Sequence, residues 1–203
     1  MEQPSSFPAL SALNDICKDQ ARLTGWLRSV IGNEDWHQIM QSEPANHALH
    51  ITRRACEMHL ATLVARIWDQ SRDVISLPKM MPDLQPRLDA SDKGRSVGLK
   101  ASFDRLSASE TLKRVLVMRT EWLAHRAPNS RDRERLGVVD EGFTYSEILV
   151  FSADTLSLID ELNSALTGGN EHLVHNMRKT EEVCRSAWKI LANQIVCQSP
   201  GPA

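Results

Sequence analysis

Strand-forming signals are nearly absent from this sequence. Aromatic residues make up 5% of the 203 residues, no stretch sustains an alternation of apolar and polar residues, and long segments space their apolar residues three and four apart. That pattern excludes a sandwich or barrel and predicts an all-α protein. No run approaches the roughly 20 apolar residues that a membrane span needs. The opening Met1-Glu2-Gln3-Pro4-Ser5-Ser6 lacks both the basic and the apolar region of a secretory signal, so the expected location is cytoplasmic, with no membrane partner. Cysteine is sparse: Cys17, Cys56, Cys184 and Cys197 are scattered and fall mostly on helical stripes. In a reducing compartment they read as small core residues rather than a disulfide framework. Charge of one sign is lacking too, since a net charge of -2 and a pI near 6.4 leave no whole-protein footprint for DNA. Neither phosphate-binding glycine loop occurs.

With 41% hydrophobic and 25% charged residues, the chain is expected to form one domain over 9–197, between flexible tails at 1–8 and 198–203. The spacing predicts a first helix over 9–31, with Leu13, Ile16, Leu23, Leu27 and Val30 inward and Gly32 ending it. A second is predicted over 47–73, burying Leu49, Cys56, Leu60, Leu63, Val64 and Ile67. In Ser76–Pro86 the prolines at 78, 82 and 86 predict a shaped connector with at most a short helical turn. Helices follow over 99–106 and 109–125, the latter opened by a capping box of Ser107 and Glu110. Residues 126–143 read as a loop. Thr144 and Glu147 open a helix to about 166, with Ile148, Phe151, Ile159, Leu162 and Leu166 inward, and Gly168-Gly169 stop it. The last helix, 170–196, is expected to bury Leu173, Met177, Cys184, Ala187, Leu191 and Ile195. About five long helices with mostly short joints argue an up-and-down bundle.

One position breaks the pattern. The stripe Leu112, Val115, Leu116 continues through Arg119 to Trp122 and Leu123, so an arginine stands where the helix should bury an aliphatic side chain. A guanidinium cannot shed its charge, and burying it alone costs several kcal/mol, which predicts a partner, a ligand or an interface there. His125 follows six residues on. Residues 113–135 hold seven basic side chains against three acidic ones, whereas 136–170 hold six acidic and no basic one. The motif helix and the loop after it form the positive pole.

Arginine and histidine together suit metal-independent cleavage of RNA. Histidine titrates near neutral pH and can move the proton of the 2′-hydroxyl or of the leaving 5′-oxygen, while arginine offers a planar fork to phosphate oxygens. On an ideal helix the two side chains stand roughly 120° apart. They converge if the last turn tightens to 3₁₀ geometry ahead of Pro128, or if a second copy of the motif meets the first across a two-fold axis. This chemistry calls for no metal and no cofactor. The pairs His47/His50, Cys56/His59 and His172/His175 have helical metal-ligand spacing, but each supplies two ligands where zinc takes about four, and they read as ordinary surface or partly buried residues. Arg131, Arg133 and Arg135 alternate with Asp132 and Glu134, a pattern that a solvated loop shares with an RNA-binding strip. The bland alternative for Arg119 is a bundle arginine paired with a carboxylate such as Asp154, or Glu121 of a second chain.

Met118-Arg119-Thr120-Glu121-Trp122-Leu123-Ala124-His125-Arg126 resembles the R-x(4–6)-H motif of the HEPN superfamily, and its surroundings are similar to the abortive-infection U branch. Ile75-Ser76-Leu77-Pro78-Lys79-Met80-Met81 and Phe143-Thr144-Tyr145-Ser146-Glu147-Ile148-Leu149 also resemble segments of that branch, so the likeness covers roughly 50–167. It implies a HEPN-like helical bundle, homodimeric, whose paired motifs form a composite cleft used by many members as a metal-independent endoribonuclease. Such members act in toxin–antitoxin, abortive-infection or phage-defence systems, with a cognate antitoxin protein as partner. Carried over by position, Arg119 and His125 are the catalytic pair, and Thr120, Arg126, Arg131 and Arg133 are expected to hold the RNA substrate. Two positions depart from the pattern: Thr120 stands where Asn, Asp or His is common, and Ala127 where members paired with a nucleotidyltransferase have a tyrosine. The rival reading is a non-catalytic helical dimer that binds a partner protein or RNA without cutting it.

Overall fold

Apolar side chains at three- and four-residue spacing drive the first helix, α1 (Pro8–Val30), to bury Leu10, Leu13, Cys17, Ala21, Leu27 and Val30. The structure, a computed structural model, describes residues 8–41, 43–71, 74–123, 145–169 and 171–198. Eight helices and no strand occur among them. After α1 come α2 (Glu34–Met40), α3 (Glu43–Ile67), α4 (Leu77–Ser91), α5 (Lys93–Ser107), α6 (Glu110–Leu123), α7 (Tyr145–Thr167) and α8 (Leu173–Gln198). The all-α bundle follows the sequence pattern. At its centre α1 packs on α3, α7 and α8, while α6 bridges α3 and α7.

α2 was not expected. Gly32 takes the left-handed conformation (φ 67°) that ends α1. Asn33 then restarts a helix by accepting hydrogen bonds from Asp35 N (2.9 Å) and Trp36 N (3.3 Å), with Glu34 and Asp35 favourably placed at its positive end. The short helix puts Trp36 against Trp26 and Trp188, with ring centroids 5.9 and 4.9 Å away.

The proline-rich stretch is a correction: α4 runs through Pro82 and Pro86 for 15 residues. A proline in a helix interior costs about 3 kcal/mol. Burial of Leu77, Met80, Met81, Leu84 and Leu88, at about 1.5–3 kcal/mol each, outweighs two of them. The spacing of four also keeps the missing donors on one side of the helix. Pro78 sits in the first turn, where it is tolerated.

Other boundaries moved for local reasons. α5 starts earlier than its pattern suggested because Asp92 accepts from Arg95 N at 3.1 Å. Ser109, not Ser107, opens α6: its hydroxyl accepts from Thr111 N (3.2 Å) and its carbonyl from Lys113 N (3.2 Å), whereas Ser107 is the last residue of α5 and donates to Asp104 O at 2.9 Å. The proposed cap Thr144 and the loop 126–143 lie outside the described residues.

α8 is capped from another helix. Both oxygens of Asp160, on α7, accept from its first backbone amides, Leu173 N and Val174 N, at 3.0 Å each. The inward stripe of α8 shifts by one residue halfway along. Ala187 and Leu191 are exposed and Trp188 and Ala192 turn inward instead, because the Trp188 indole joins Trp26 and Trp36 and donates to Ser29 Oγ at 2.9 Å. Cys17 is fully buried, and Cys56 and Cys184 are half-buried. Burial pushes the Cys17 thiol far up, so it stays protonated in the core. No described helix is long and apolar enough to cross a membrane.

Candidate functional site

α6 carries Arg119 on the face that buries Leu112 and Val115, seven and four residues along the same stripe. The face that begins in the core ends at a cleft. Val115 is fully covered within the protein, so it needs no second chain to shield it. Two turns of side-chain burial thus fix the azimuth of Arg119, and its side chain keeps 34% of its surface exposed.

The partner of Arg119 is Asp69, whose Oδ2 accepts from Arg119 Nη1 at 2.6 Å. The carboxylates considered from sequence do not fill this role within the chain: Asp154 pairs with Arg105 at 3.2 Å instead. Asp69 stands just beyond α3, which stops at Ile67 rather than at residue 73. There Trp68 is buried, stacked on Phe103 at 5.6 Å, tilted against Phe151 at 5.8 Å, and bonded through Nε1 to Thr155 Oγ1 at 3.2 Å. A side chain pinned to α5 and α7 holds the next residue in place. Asp69 then turns the chain by accepting from Ser71 N at 2.8 Å, which ends the helix.

Burial pushes the Asp69 carboxyl up, but the backbone and side chain of Ser71 and the Arg119 guanidinium outweigh that and hold it below the ordinary carboxylate value. It is therefore ionised at neutral pH and neutralises one of the charges nearby. The link to Arg119 spans 50 residues of sequence. Sequence reasoning missed it: an Asp-x-Ser turn at a helix end was the only local signal, and it announces a turn, not a partner.

Beside this pair lies a cleft of about 440 Å³ lined by Ala12, Ile16, Thr62, Arg66, Val74, Ile75 and Arg119. α1, α3, α6 and the segment before α4 each contribute to it. That segment is strapped down by Lys79, which donates to Ser71 O and, at 3.1 Å, to Val74 O. The guanidinium of Arg119 has five N–H donors in a rigid fork, and the contact to Asp69 engages one nitrogen.

Of the other residues singled out from sequence, His125, Arg126, Arg131 and Arg133 lie outside the described residues. Thr120 lies on α6, but its side chain is outside them as well, as are those of Trp122 and Leu123. Tyr145 begins α7 and accepts a hydrogen bond from Arg54 on α3. Burial, then the charge of Glu57, raises the Tyr145 phenol further, so it remains a neutral hydroxyl. Among the described residues no group of three or more His, Cys, Asp or Glu side chains comes together to hold a metal ion. His172 and His175 face each other at 6.4 Å across a surface hollow they share with Glu171 and Asn176.

Comparison with known proteins adds one match: the family model HEPN_AbiU2 (AbiU2) aligns with residues 9–183. The aligned stretch takes in α1 to α7, the Arg119 helix, every residue lining the cleft and the first part of α8. No curated protein and no solved structure matches the chain.

Proposed function

Since the chain belongs to the AbiU2 branch of the HEPN family, we propose that it is a metal-independent endoribonuclease serving a toxin or phage-defence system. Arg119 and His125 are its catalytic pair. In this reading the phosphate of an RNA strand meets the free edge of the Arg119 fork, which neutralises the charge that builds on the non-bridging oxygens. His125 exchanges the proton that leaves the 2′-hydroxyl or joins the departing 5′-oxygen. The 2′-oxygen forms a new bond to phosphorus, the bond to the 5′-oxygen breaks, and the products are a 2′,3′-cyclic phosphate and a 5′-hydroxyl end. Thr120, Arg126, Arg131 and Arg133 guide the strand, and a homodimer brings two motifs together.

The observation that carries this reading is Arg119 itself. It is held by Asp69 on one side and lines an open cleft on the other, which is how a charge is stationed for a ligand rather than for the core. The test is cleavage of single-stranded RNA by the purified protein in EDTA. Wild type should cut and leave cyclic-phosphate ends, and His125→Ala should be slower by roughly 10²-fold or more. Cleavage unaffected by the substitution would assign the activity to another site or to a contaminant.

A second reading keeps the cleft and drops the chemistry. Arg119 already has a carboxylate partner within its own chain, so a binding module that holds RNA or a partner protein without cutting it also accounts for the arginine. A wild-type protein that binds RNA and cuts none of a mixed pool would favour this reading.

A further inference from the structure

Arg119 is not the only cation of the cleft. Arg66, on the last turn of α3, lines the same space, and its guanidinium has no hydrogen bond or ion pair with any described residue. The contrast with its neighbours is informative. Arg53 pairs with Glu57, Arg105 with Asp154, Arg114 with Glu147, and Arg119 with Asp69. With Asp69 offsetting Arg119, Arg66 is the cation of the cleft that no described carboxylate compensates. The rest of the wall is unlike an ion-pair site: Ala12, Ile16, Val74 and Ile75 make it apolar, and Ile75 is 45% exposed at its rim. An exposed isoleucine beside an arginine that pairs with no described residue suits a ligand with one charged end and one flat apolar face.

We propose that this cleft is a nucleotide subsite, in which Arg66 holds a phosphate next to the one at Arg119 and the apolar wall of Ile16, Val74 and Ile75 takes the attached base. The occupant is one ribonucleotide unit of a bound strand, so the proposal rests on the reading of the protein as RNA-directed but not on its cutting RNA. Its volume of about 440 Å³ falls within the range of small-ligand pockets, roughly 300–1,000 Å³. Arginine suits the phosphate because its fork matches two phosphate oxygens at once. An acidic peptide would meet the charge of Arg66 but would leave the apolar wall uncovered. Arg66 is a positioning residue in this scheme: it sets which nucleotide lies beside Arg119 and does not touch the reacting atoms.

The experiment is equilibrium binding of a short fluorescein-labelled oligoribonucleotide to the full chain carrying His125→Ala, repeated over a salt series. Arg66→Gln should weaken binding about ten-fold, the scale of one lost charge-assisted contact. It should also flatten the dependence of log affinity on log salt by about 0.7, the share of one phosphate in a single strand. Ile75→Glu, a change at an exposed position, should weaken binding through charge repulsion and lost base contact. Lys189→Gln, on α8 away from the cleft, should change neither quantity, and circular dichroism should show all three variants as helical as the parent. Unchanged affinity and salt slope in Arg66→Gln would overturn the subsite. So would an acidic peptide displacing the probe at equal concentration. The two readings separate cleanly: loss of cleavage in His125→Ala with no effect of Arg66→Gln on binding leaves the nuclease and removes the subsite. Binding that depends on Arg66, in a protein that cuts nothing, does the reverse.

Discussion

Two arginine–carboxylate contacts between distant segments of this protein are built in opposite ways. Where α1 meets α8, Arg28 Nε lies 2.9 Å from Glu181, and Glu181 also receives Arg185, which in turn donates to the Arg28 carbonyl at 2.9 Å. The space beside them is filled: Trp26, Trp36 and Trp188 meet edge to face, and Gly25 lets the two helix backbones approach. At the other contact Asp69 is equally well tethered, but Arg119 opens onto a cleft that also holds Arg66, which pairs with no described residue. A charge whose neighbours are a tryptophan cluster and a close helix contact serves packing. A charge left beside room for a ligand, with a second arginine in the same cleft, is what the proposed binding role requires.

The comparison is broken most directly by removing each arginine in turn. Arg119→Ala should lower RNA cleavage by roughly 10²–10³-fold, the usual effect of deleting one donor to a developing oxyanion, while helix content stays intact. Arg28→Ala should leave cleavage unchanged and lower the unfolding free energy by at most about 1 kcal/mol, because the pair is partly exposed. Cleavage rates and urea midpoints of the two variants measure both arms. Equal losses of activity in the two would mean that the arginines differ in location and not in role.

How much of this was legible beforehand differs between the same two regions. The stripe Leu112, Val115, Leu116, Arg119 is a local periodicity, and it turns Arg119 inward and calls for a partner, a ligand or an interface there. Asp69, Arg66 and Ile75 join Arg119 only through tertiary packing of α1, α3 and α6, which no spacing within one helix encodes. Around the tryptophans the failure was of another kind. Ala187 and Leu191 fit the inward stripe of α8 by spacing, yet Trp188 turns the helix because its ring and its N–H both find partners on α1 and α2. In α4, local proline propensity read as a connector, and the burial of five apolar side chains overrode it.

The close contact of α1 and α8 gives the next largest effect. A Cβ on Gly25 would press on the Met177 carbonyl and lie 2.9 Å from Thr180 Cβ and 3.1 Å from Glu181 N. Two of those are backbone atoms, so the helices themselves must separate. Gly25→Ala should therefore cost about 1–3 kcal/mol of unfolding free energy despite the better helix propensity of alanine. Cleavage by the folded fraction should be unaffected, since the cleft lies on other faces. A variant as stable as wild type would show that this contact is looser than the cleft it is being compared with.

The smallest effect lies in acid and reports on Asp69 alone. Its carboxyl is held below the ordinary value, about 3.9, by Ser71 and Arg119 against the opposing effect of burial. The folded state therefore binds this proton less readily than the unfolded chain does. The stability it contributes is fully present above the unfolded value and is lost as pH falls through the lower folded value. Asp69→Asn keeps the shape and an acceptor oxygen but removes the titration. Urea midpoints measured from neutral pH down to the acid range should fall less steeply in Asp69→Asn than in wild type, with the two curves converging at the acid end. Parallel curves would mean that Asp69 contributes no charge to the fold, and that Arg119 is oriented by its own helix rather than by its partner.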